Sequence, residues 1–491
     1  MDLSTYRRRA QLYVSESNFE RHRHMAGLKP TLDLAPLYAK YADVFAPEAI
    51  QELLILRREA APDDEKRLRF LLSFAVDTAI DTTVRDEDEK LARVKSTATV
   101  QVGGSEMSFH SAAVKLANES DRGLRRQAYE ARRKVIVETN GLRLERVKKL
   151  HERARELTGR SYTQLYQFLF KVDFELLGRQ LENFLGASEG YYKSRLERFA
   201  QSHLGLSAPE IAVWDTNYLF RGSVYDKFFP EGRLLSILKR TLLGMGVDLK
   251  KLKNLTIDSA DRPSKSPQAH CTPVSVPDKV YLLLRPQGGL TDCLSLFHEV
   301  GHALHYCFTS PKEEFEYKVL GDYAVTETYA FLFQYFTLND DWCWDFLKIP
   351  AESDFLEFNQ FRKLYLLRRY AAKFLFESKL HSGDCYDPDE LEASYEKALE
   401  SALHLPADPS AALYDLDDAF YGTHFLRAWI FEAELRQIIN ARFGKRWYSR
   451  PAAGEFLKSL WAFGHRYSVE ELGQQVRLSE LNMSPITQEL R

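Results

Sequence analysis

Residues 279–308, KVYLLLRPQGGLTDCLSLFHEVGHALHYCF, decide the fold of this 491-residue chain. The apolar run at 279–285 predicts a strand, and the proline and two glycines at 286–289 predict a turn. Apolar residues then recur at helical spacing and predict a helix over 292–308. We expect the strand to present an exposed edge beside this helix; the alternative is an ordinary buried strand.

The centre of the predicted helix is the motif His298-Glu299-Val300-Gly301-His302. Two histidines four residues apart on a helix project from the same face, which allows both imidazoles to hold one zinc ion. The glutamate between them then has the position of a general base. This spacing favours a zinc peptidase, and an exposed strand edge beside the motif would bind an extended peptide backbone.

Zinc needs a third protein ligand, and we predict that this ligand is Glu327. It is the only charged residue between Asp322 and Asp340, in an apolar segment that predicts a buried helix. A buried carboxylate is costly unless another charge compensates it, and a metal ion would do so. The alternative is a glutamate at a helix start that faces solvent. His305, one turn after His302, is expected near the ligands or on the helix surface rather than on the metal.

Three stretches carry a resemblance to a known family. The sequence HEVGHALHYCF, with a glutamate 29 residues after its first histidine, resembles the thimet oligopeptidase and oligoendopeptidase F family of zinc peptidases. Residues 100–131 (VQVGGSEMSFHSAAVKLANESDRGLRRQAYEA) are similar to the hairpin and helix region of oligoendopeptidase F, and residues 280–299 to its edge strand and glycine turn. The resemblance extends from about residue 60 to the C-terminus.

This resemblance implies a mainly α-helical, two-lobed, zincin-type fold with a small sheet beside the zinc helix and a deep substrate channel. It implies one Zn²⁺ per chain, held by His298, His302 and Glu327. It also implies a metalloendopeptidase that cuts internal bonds of short unfolded oligopeptides, by attack of a zinc-bound water assisted by Glu299.

The family places a histidine and tyrosines where they stabilise the oxyanion, and residues 413–434 match that pattern in part. Tyr421 and His424 are three apart, so one helical face can present both, and Tyr414 stands roughly where a histidine is expected. Either these three residues share the task, or activity on ordinary peptides is weakened. For Tyr421 the alternative is simple aromatic packing.

Two other functions fit the same motif. One is a related helical zinc carboxypeptidase or dipeptidase. The other is a catalytically inactive, peptide-binding member of the fold, which the altered set of Tyr414, Tyr421 and His424 supports and the intact zinc motif opposes.

Length and composition set further bounds. The chain exceeds one ordinary core, and we divide it into an N-terminal helical lobe, 1–200, and a catalytic lobe, 201–491, or treat it as one continuous domain. A net charge of −3 gives no reason to expect nucleic acid or a membrane as partner. We found neither a secretory signal nor a long apolar segment, and expect a cytoplasmic protein.

Smaller features complete the prediction. Residues 99–110 predict a hairpin around Gly103 and Gly104, and 353–380 and 389–403 predict amphipathic helices. Residues 258–277 predict a loop. The family resemblance implies that His270, in this loop, lies near the substrate; the alternative is an exposed loop histidine. No disulfide framework is expected among the cysteines, which are Cys271, Cys293, Cys307, Cys343 and Cys385.

Overall fold

A computed structural model describes residues 2–383, 386–478 and 480–490 of the chain. Helices account for 72% of it, so the predicted mainly α-helical class is confirmed. The α-helices of the first half are α1 (Leu3–Met25), α2 (Ala35–Lys40), α3 (Pro47–Glu59), α4 (Pro62–Thr83), α5 (Arg85–Thr97), α6 (Phe109–Asn118), α7 (Arg122–Glu138), α8 (Asn140–Thr158), α9 (Tyr162–Phe170), α10 (Phe174–Leu204), α11 (Val213–Arg221) and α12 (Glu231–Gly244).

The second half continues in the same way. Its α-helices are α13 (Leu290–Phe308), α14 (Phe315–Val319), α15 (Tyr323–Gln334), α16 (Asp340–Trp342), α17 (Phe355–Ser382), α18 (Pro388–Leu403), α19 (Gly422–Phe443), α20 (Pro451–Trp461), α21 (Val469–Gln475) and α22 (Ser484–Glu489). The strands are β1 (Thr99–Val102), β2 (Ser105–Ser108), β3 (Leu255–Asp258), β4 (His270–Ser275) and β5 (Lys279–Leu283).

The chain forms two compact units, each made of separated segments. Unit 1 comprises residues 1–75, 225–359 and 427–489, and unit 2 comprises 76–224, 360–426 and 490–491. The chain therefore changes unit after residues 75, 224, 359, 426 and 489. The predicted lobes, 1–200 and 201–491, are contiguous segments and are defined differently from these units, so that division stays a prediction.

Unit 1 contains a three-stranded sheet in the order β3-β5-β4. β5 pairs with β3 in parallel and with β4 antiparallel, so it is the central strand. The prediction that β5 offers the exposed edge is wrong. The sequence did not predict β4, which lies within the segment predicted as a loop. Pro273 and the surrounding polar residues interrupt the apolar pattern that is typical of a strand. The edge strand that packs on α13 is therefore β4.

Close packing of α13 against α15 organises unit 1. At Gly301 the two helices approach so closely that an added Cβ would lie 2.5 Å from Cα of Ala330 and 2.5 Å from the carbonyl oxygen of Tyr329. Only glycine fits this position. Phe297, one turn before Gly301 on α13, is buried and packs edge-on against Trp342 and Phe336.

Unit 2 contains the predicted hairpin, and its two turn glycines both have the positive φ that such a turn requires. Val100 and Val102 pack against Ala112 and Leu116, on α6, and against Ala128, on α7. The helices predicted over 353–380 and 389–403 are α17 and α18, and both predictions are confirmed.

The predicted absence of a disulfide framework agrees with the described cysteines. Cys271, Cys293, Cys307 and Cys343 are free and buried, while Cys385 lies outside the described residues. Among the residues that the structure describes, no helix has both the length and the apolar composition needed to cross a membrane.

Candidate metal centre

Helices α13 and α15 bring His298, His302 and Glu327 together in unit 1. The Nε2 atoms of the two histidines are 3.2 Å apart. Oε2 of Glu327 is 3.4 Å from Nε2 of His298 and 3.6 Å from Nε2 of His302. The side chains are largely buried, with 18%, 12% and 5% of their surface exposed in chain order. In the described part of the chain, this is the one cluster of histidine, cysteine and acidic ligands compact enough for a metal ion.

The geometry fits zinc. Zinc binds histidine nitrogen and carboxylate oxygen at about 2.0 to 2.1 Å in a tetrahedral arrangement, which separates any two ligand atoms by about 3.3 Å. The three observed separations lie close to that value. Two imidazoles and one carboxylate are also a ligand set that zinc enzymes use, with the fourth position left for water or substrate.

Thr326 orients one of the two imidazoles. A hydrogen bond of 2.8 Å joins Nδ1 of His302 to Oγ1 of Thr326. When Nδ1 carries the proton, the lone pair is on Nε2, which faces His298 and Glu327. The residue that precedes Glu327 therefore fixes the imidazole that lies closest to Glu327 after that of His298 and would share a metal ion with it.

An ion-pair network fixes the start of α15. Asp322 caps the helix by accepting a hydrogen bond from the Ala324 N–H at 3.1 Å. Arg427 is 4% exposed and donates to both oxygens of Asp322, at 3.0 and 2.7 Å, and to Glu470 at 2.9 Å. This network holds the helix that carries Glu327.

Glu299 lies beside the ligands but outside the cluster. Its Oε2 accepts a hydrogen bond of 2.7 Å from the backbone N–H of Cys271 on β4. The edge strand thus contacts the predicted general base directly, a link that the sequence pattern did not reveal.

Burial and the Glu327 charge shift the pKa values of the site. Burial lowers the pKa of His302 to about 3, against the opposing effect of Glu327. Burial acts in the same direction on His298, but the hydrogen bond and charge of Glu327 outweigh it, so the pKa of His298 is raised. Burial raises the pKa of Glu299 to about 7, while His298 and the Cys271 N–H act to lower it. Neutral His302 is the form that binds a metal.

Two further histidines of unit 1 do not join the cluster. His305 is fully buried, rather than on the helix surface, and its ring lies 5.0 Å from those of Tyr329 and His465. His270 is half-buried at the start of β4 and is close enough for its charge to act on His302.

The residues predicted as oxyanion donors lie in unit 2. Tyr421 and His424 are brought together, with ring centroids 5.4 Å apart, and His424 also packs on Phe170 at 4.6 Å. Tyr414 contacts Arg132, whose Nη2 lies 3.5 Å from the Tyr414 hydroxyl oxygen.

Comparison with known proteins bears on the fold. No protein-family model matches the chain, and no curated protein does. The crystal structure of a proposed oligoendopeptidase F from Bacillus anthracis str. Ames matches with a TM-score of 0.70 and 15% identity, over 97% of this chain and 87% of that one. The chain has the oligoendopeptidase F fold. A proposed peptidase from Chlamydophila abortus matches with a TM-score of 0.63 and 15% identity, over 93% of this chain and 81% of that one.

The resemblance drawn from the sequence is thus confirmed at the level of the oligoendopeptidase F fold. Sequence reasoning missed Thr326 and the Cys271 amide. For Thr326 the only signal was its place next to Glu327. For the amide there was none, because a backbone group has no sequence signature.

Proposed function

We propose that the chain is a zinc-dependent metalloendopeptidase that hydrolyses internal bonds of short, unfolded oligopeptides. The observation that carries this proposal is the separation of the His298, His302 and Glu327 ligand atoms, which matches one tetrahedral zinc ion. The oligoendopeptidase F fold supports it. The proposed metal content is one zinc ion per chain.

The mechanism assigns the acid-base work to Glu299. His298, His302 and Glu327 would hold the zinc ion, which would supply a Lewis acid able to polarise a carbonyl group and to lower the pKa of water to about 7. The Glu299 carboxylate takes the proton from the attacking water and delivers it to the leaving amine. Burial raises the pKa of Glu299 above its ordinary value, which favours acceptance of a proton by this carboxylate.

The edge strand β4 is the proposed binding element for the substrate backbone. It packs on α13, as β5 does, and the N–H of Cys271 points away from β5, since it donates to Glu299. An extended peptide that adds to this edge would lie alongside the general base.

The predicted oxyanion donors remain part of the proposal on the strength of the family resemblance. Among them, Tyr421 and His424 form the pair that the structure brings together. Loss of one donor costs about 100-fold in kcat for enzymes that use such a group. Tyr421→Phe tests this role by a fall in kcat with an unchanged KM.

The test of the function is cleavage of an internally quenched peptide with both ends blocked. Wild-type protein of known metal content should cleave it at an internal bond. Glu299→Gln should keep its zinc and lose about 100-fold to 10,000-fold in kcat, because the general base is absent. Glu352→Gln, which removes an exposed carboxylate in unit 1, is the matched control and should behave as wild type.

Two results would count against the proposal. Cleavage only of peptides with free ends would indicate a carboxypeptidase or dipeptidase. Bound zinc without cleavage across a varied peptide pool would indicate a peptide-binding protein of this fold.

A further inference from the structure

Three positive side chains surround Tyr414 in unit 2. Nζ of Lys95 lies 5.1 Å from the centre of the Tyr414 ring, and Cζ of Arg143 lies 5.0 Å from it. Nη2 of Arg132 is 3.5 Å from the Tyr414 hydroxyl oxygen. These four residues, from α5, α7, α8 and the segment before α19, are called the Tyr414 cluster below.

In the described ranges, none of the three cations is within ion-pair distance of an aspartate or glutamate. Burial lowers the pKa of both arginines, and Tyr414 is the other group that acts on them. Their hydrogen bonds go to neutral acceptors: Arg132 donates to the Phe109 carbonyl, and Arg143 to the Ile136 carbonyl at 3.1 Å, Thr139 Oγ1 at 2.6 Å and Asn140 Oδ1 at 3.2 Å. Arg132 also stacks on the Phe109 ring, with Cζ 3.9 Å from its centre.

Neighbouring arginines show the contrast. Arg133, next to Arg132, pairs with Asp408 at 3.2 Å. Arg146, one turn after Arg143, pairs with Asp88 and Asp418 at 2.6 Å each. Adjacent arginines on the same two helices thus have carboxylate partners, whereas the arginines of the Tyr414 cluster have none among the described residues.

An uncompensated cluster of this kind is costly. Arg143 is 6% exposed and Arg132 half-buried, and an arginine side chain stays charged in a protein. Buried charges are normally paired, because it is unfavourable to remove a lone charge from water. The guanidinium fork matches a carboxylate or phosphate, and a tyrosine hydroxyl can donate to the same anion.

We propose that the Tyr414 cluster binds a carboxylate of a peptide ligand, either its C-terminal carboxylate or an acidic side chain. The choice of a peptide rests on the proposed function, since peptides are the substrates expected there. The cluster would favour peptides that carry such a carboxylate over otherwise identical neutral ones.

Binding to the metal-free full chain tests this without any need for turnover. Isothermal calorimetry would compare acetyl-trialanine with a free C-terminus, its C-terminal amide, and an amide that carries a central glutamate. Inorganic phosphate is the fourth probe. At least one carboxylate peptide should bind wild type about tenfold more tightly than the neutral amide, as expected for charge-assisted hydrogen bonds.

Three variants assign that preference to the cluster. Lys95 is exposed and makes no hydrogen bond or ion pair among the described residues, so Lys95→Gln should fold as wild type does. It should reduce the preference for the carboxylate peptide about threefold. Arg132→Gln should abolish it. Lys134→Gln, at an exposed lysine on α7, removes the same charge outside the cluster and should leave the preference unchanged.

Each outcome decides the matter. The free-acid and glutamate peptides separate the two sources of the carboxylate. Equal binding of all three peptides, or a preference that survives both Lys95→Gln and Arg132→Gln, would overturn the inference. The inference would also be overturned if phosphate bound in a manner that depends on Lys95 while no carboxylate peptide bound more tightly than the neutral amide. If carboxylate binding is found but no peptide is cleaved, the proposed function fails and the binding site stands.

Discussion

At the scale of single residues, the candidate centre depends on how its imidazoles are held. His302 is fixed through Nδ1 by Thr326, the residue immediately before the third proposed ligand. Such supporting hydrogen bonds set the orientation and basicity of a ligating histidine. Thr326 therefore links the two helices of the centre through one hydroxyl group.

Thr326→Val tests this link. Valine keeps the shape of threonine but cannot accept the proton of Nδ1, so zinc affinity should fall about 10-fold to 100-fold. Thr326→Ser retains the hydroxyl and should bind zinc as wild type does. Competition with a chelator of known affinity measures both, and equal affinities of the valine and serine variants would contradict the role given to Thr326.

The grouping of His298, His302 and Glu327 could be predicted from the sequence, but the contacts that support these side chains could not. Helical spacing and one carboxylate in an apolar segment are local signals, and the role of the three residues as metal ligands stays a proposal. The contacts of Glu299 with Cys271 and of Tyr414 with Arg132 join residues distant in sequence. Only the folded chain brings such pairs together.

At the scale of elements, the distance between α13 and α15 sets the distance between the ligands. Gly301 lies against the backbone of Ala330, three residues after Glu327. A methyl group there must push the two helices apart. The histidines and the carboxylate would then no longer match one metal ion.

Gly301→Ala should lower stability by about 1 to 3 kcal/mol and zinc affinity by at least about tenfold. Gly190→Ala, in α10, is the control, because nothing lies within 4 Å of the added Cβ. That variant should gain up to about 1 kcal/mol of helix stability. Denaturant unfolding and zinc competition measure both quantities, and a Gly301→Ala protein with native zinc affinity would contradict the close approach.

The strands show where local patterns fail. β5 was predictable from its apolar run, but the same run gave no information on its neighbours, and it is central rather than at the edge. β4 contains Pro273 and polar residues, and it is a strand because it pairs with β5 and packs on α13. Tertiary contacts outweigh intrinsic propensity in such a strand.

At the scale of the whole molecule, the two units interleave segments from both halves of the sequence. Composition and helical periodicity do not carry that information, because they describe neighbours along the chain. The helical class was predictable for the opposite reason, since each helix has its own periodic pattern. The oligoendopeptidase F fold could be predicted from the His-Glu-x-x-His motif and the stretches that flank it.

The stability of the folded chain should depend on pH through Glu377 in unit 2. This side chain is 2% exposed, and burial, together with Asp417 and Asp415, raises its pKa to about 8 against the opposing effect of Lys373. Between the ordinary value of 4.5 and about 8, the unfolded chain releases this proton and the folded chain keeps it. The group therefore lowers stability progressively as the pH rises through that range.

Glu377→Gln should remove this effect, since the amide oxygen can still accept the Asp417 N–H that Glu377 accepts at 2.9 Å. The variant should match wild type near pH 5 and be more stable by about 1 to 3 kcal/mol at pH 8. Glu182→Gln, at an exposed glutamate, should show no such trend. Denaturant unfolding at both pH values measures the difference, and a constant offset would show that Glu377 does not titrate as described.

The central claim is that His298, His302 and Glu327 hold the zinc ion on which peptide cleavage depends. Stepwise addition of zinc to metal-free protein, with cleavage of the end-blocked peptide followed at each step, tests it most directly. Activity should rise linearly and level off at one zinc per chain, and Glu327→Gln should need far more zinc and stay nearly inactive. Full cleavage by metal-free protein, or the wild-type zinc response in Glu327→Gln, would contradict the claim.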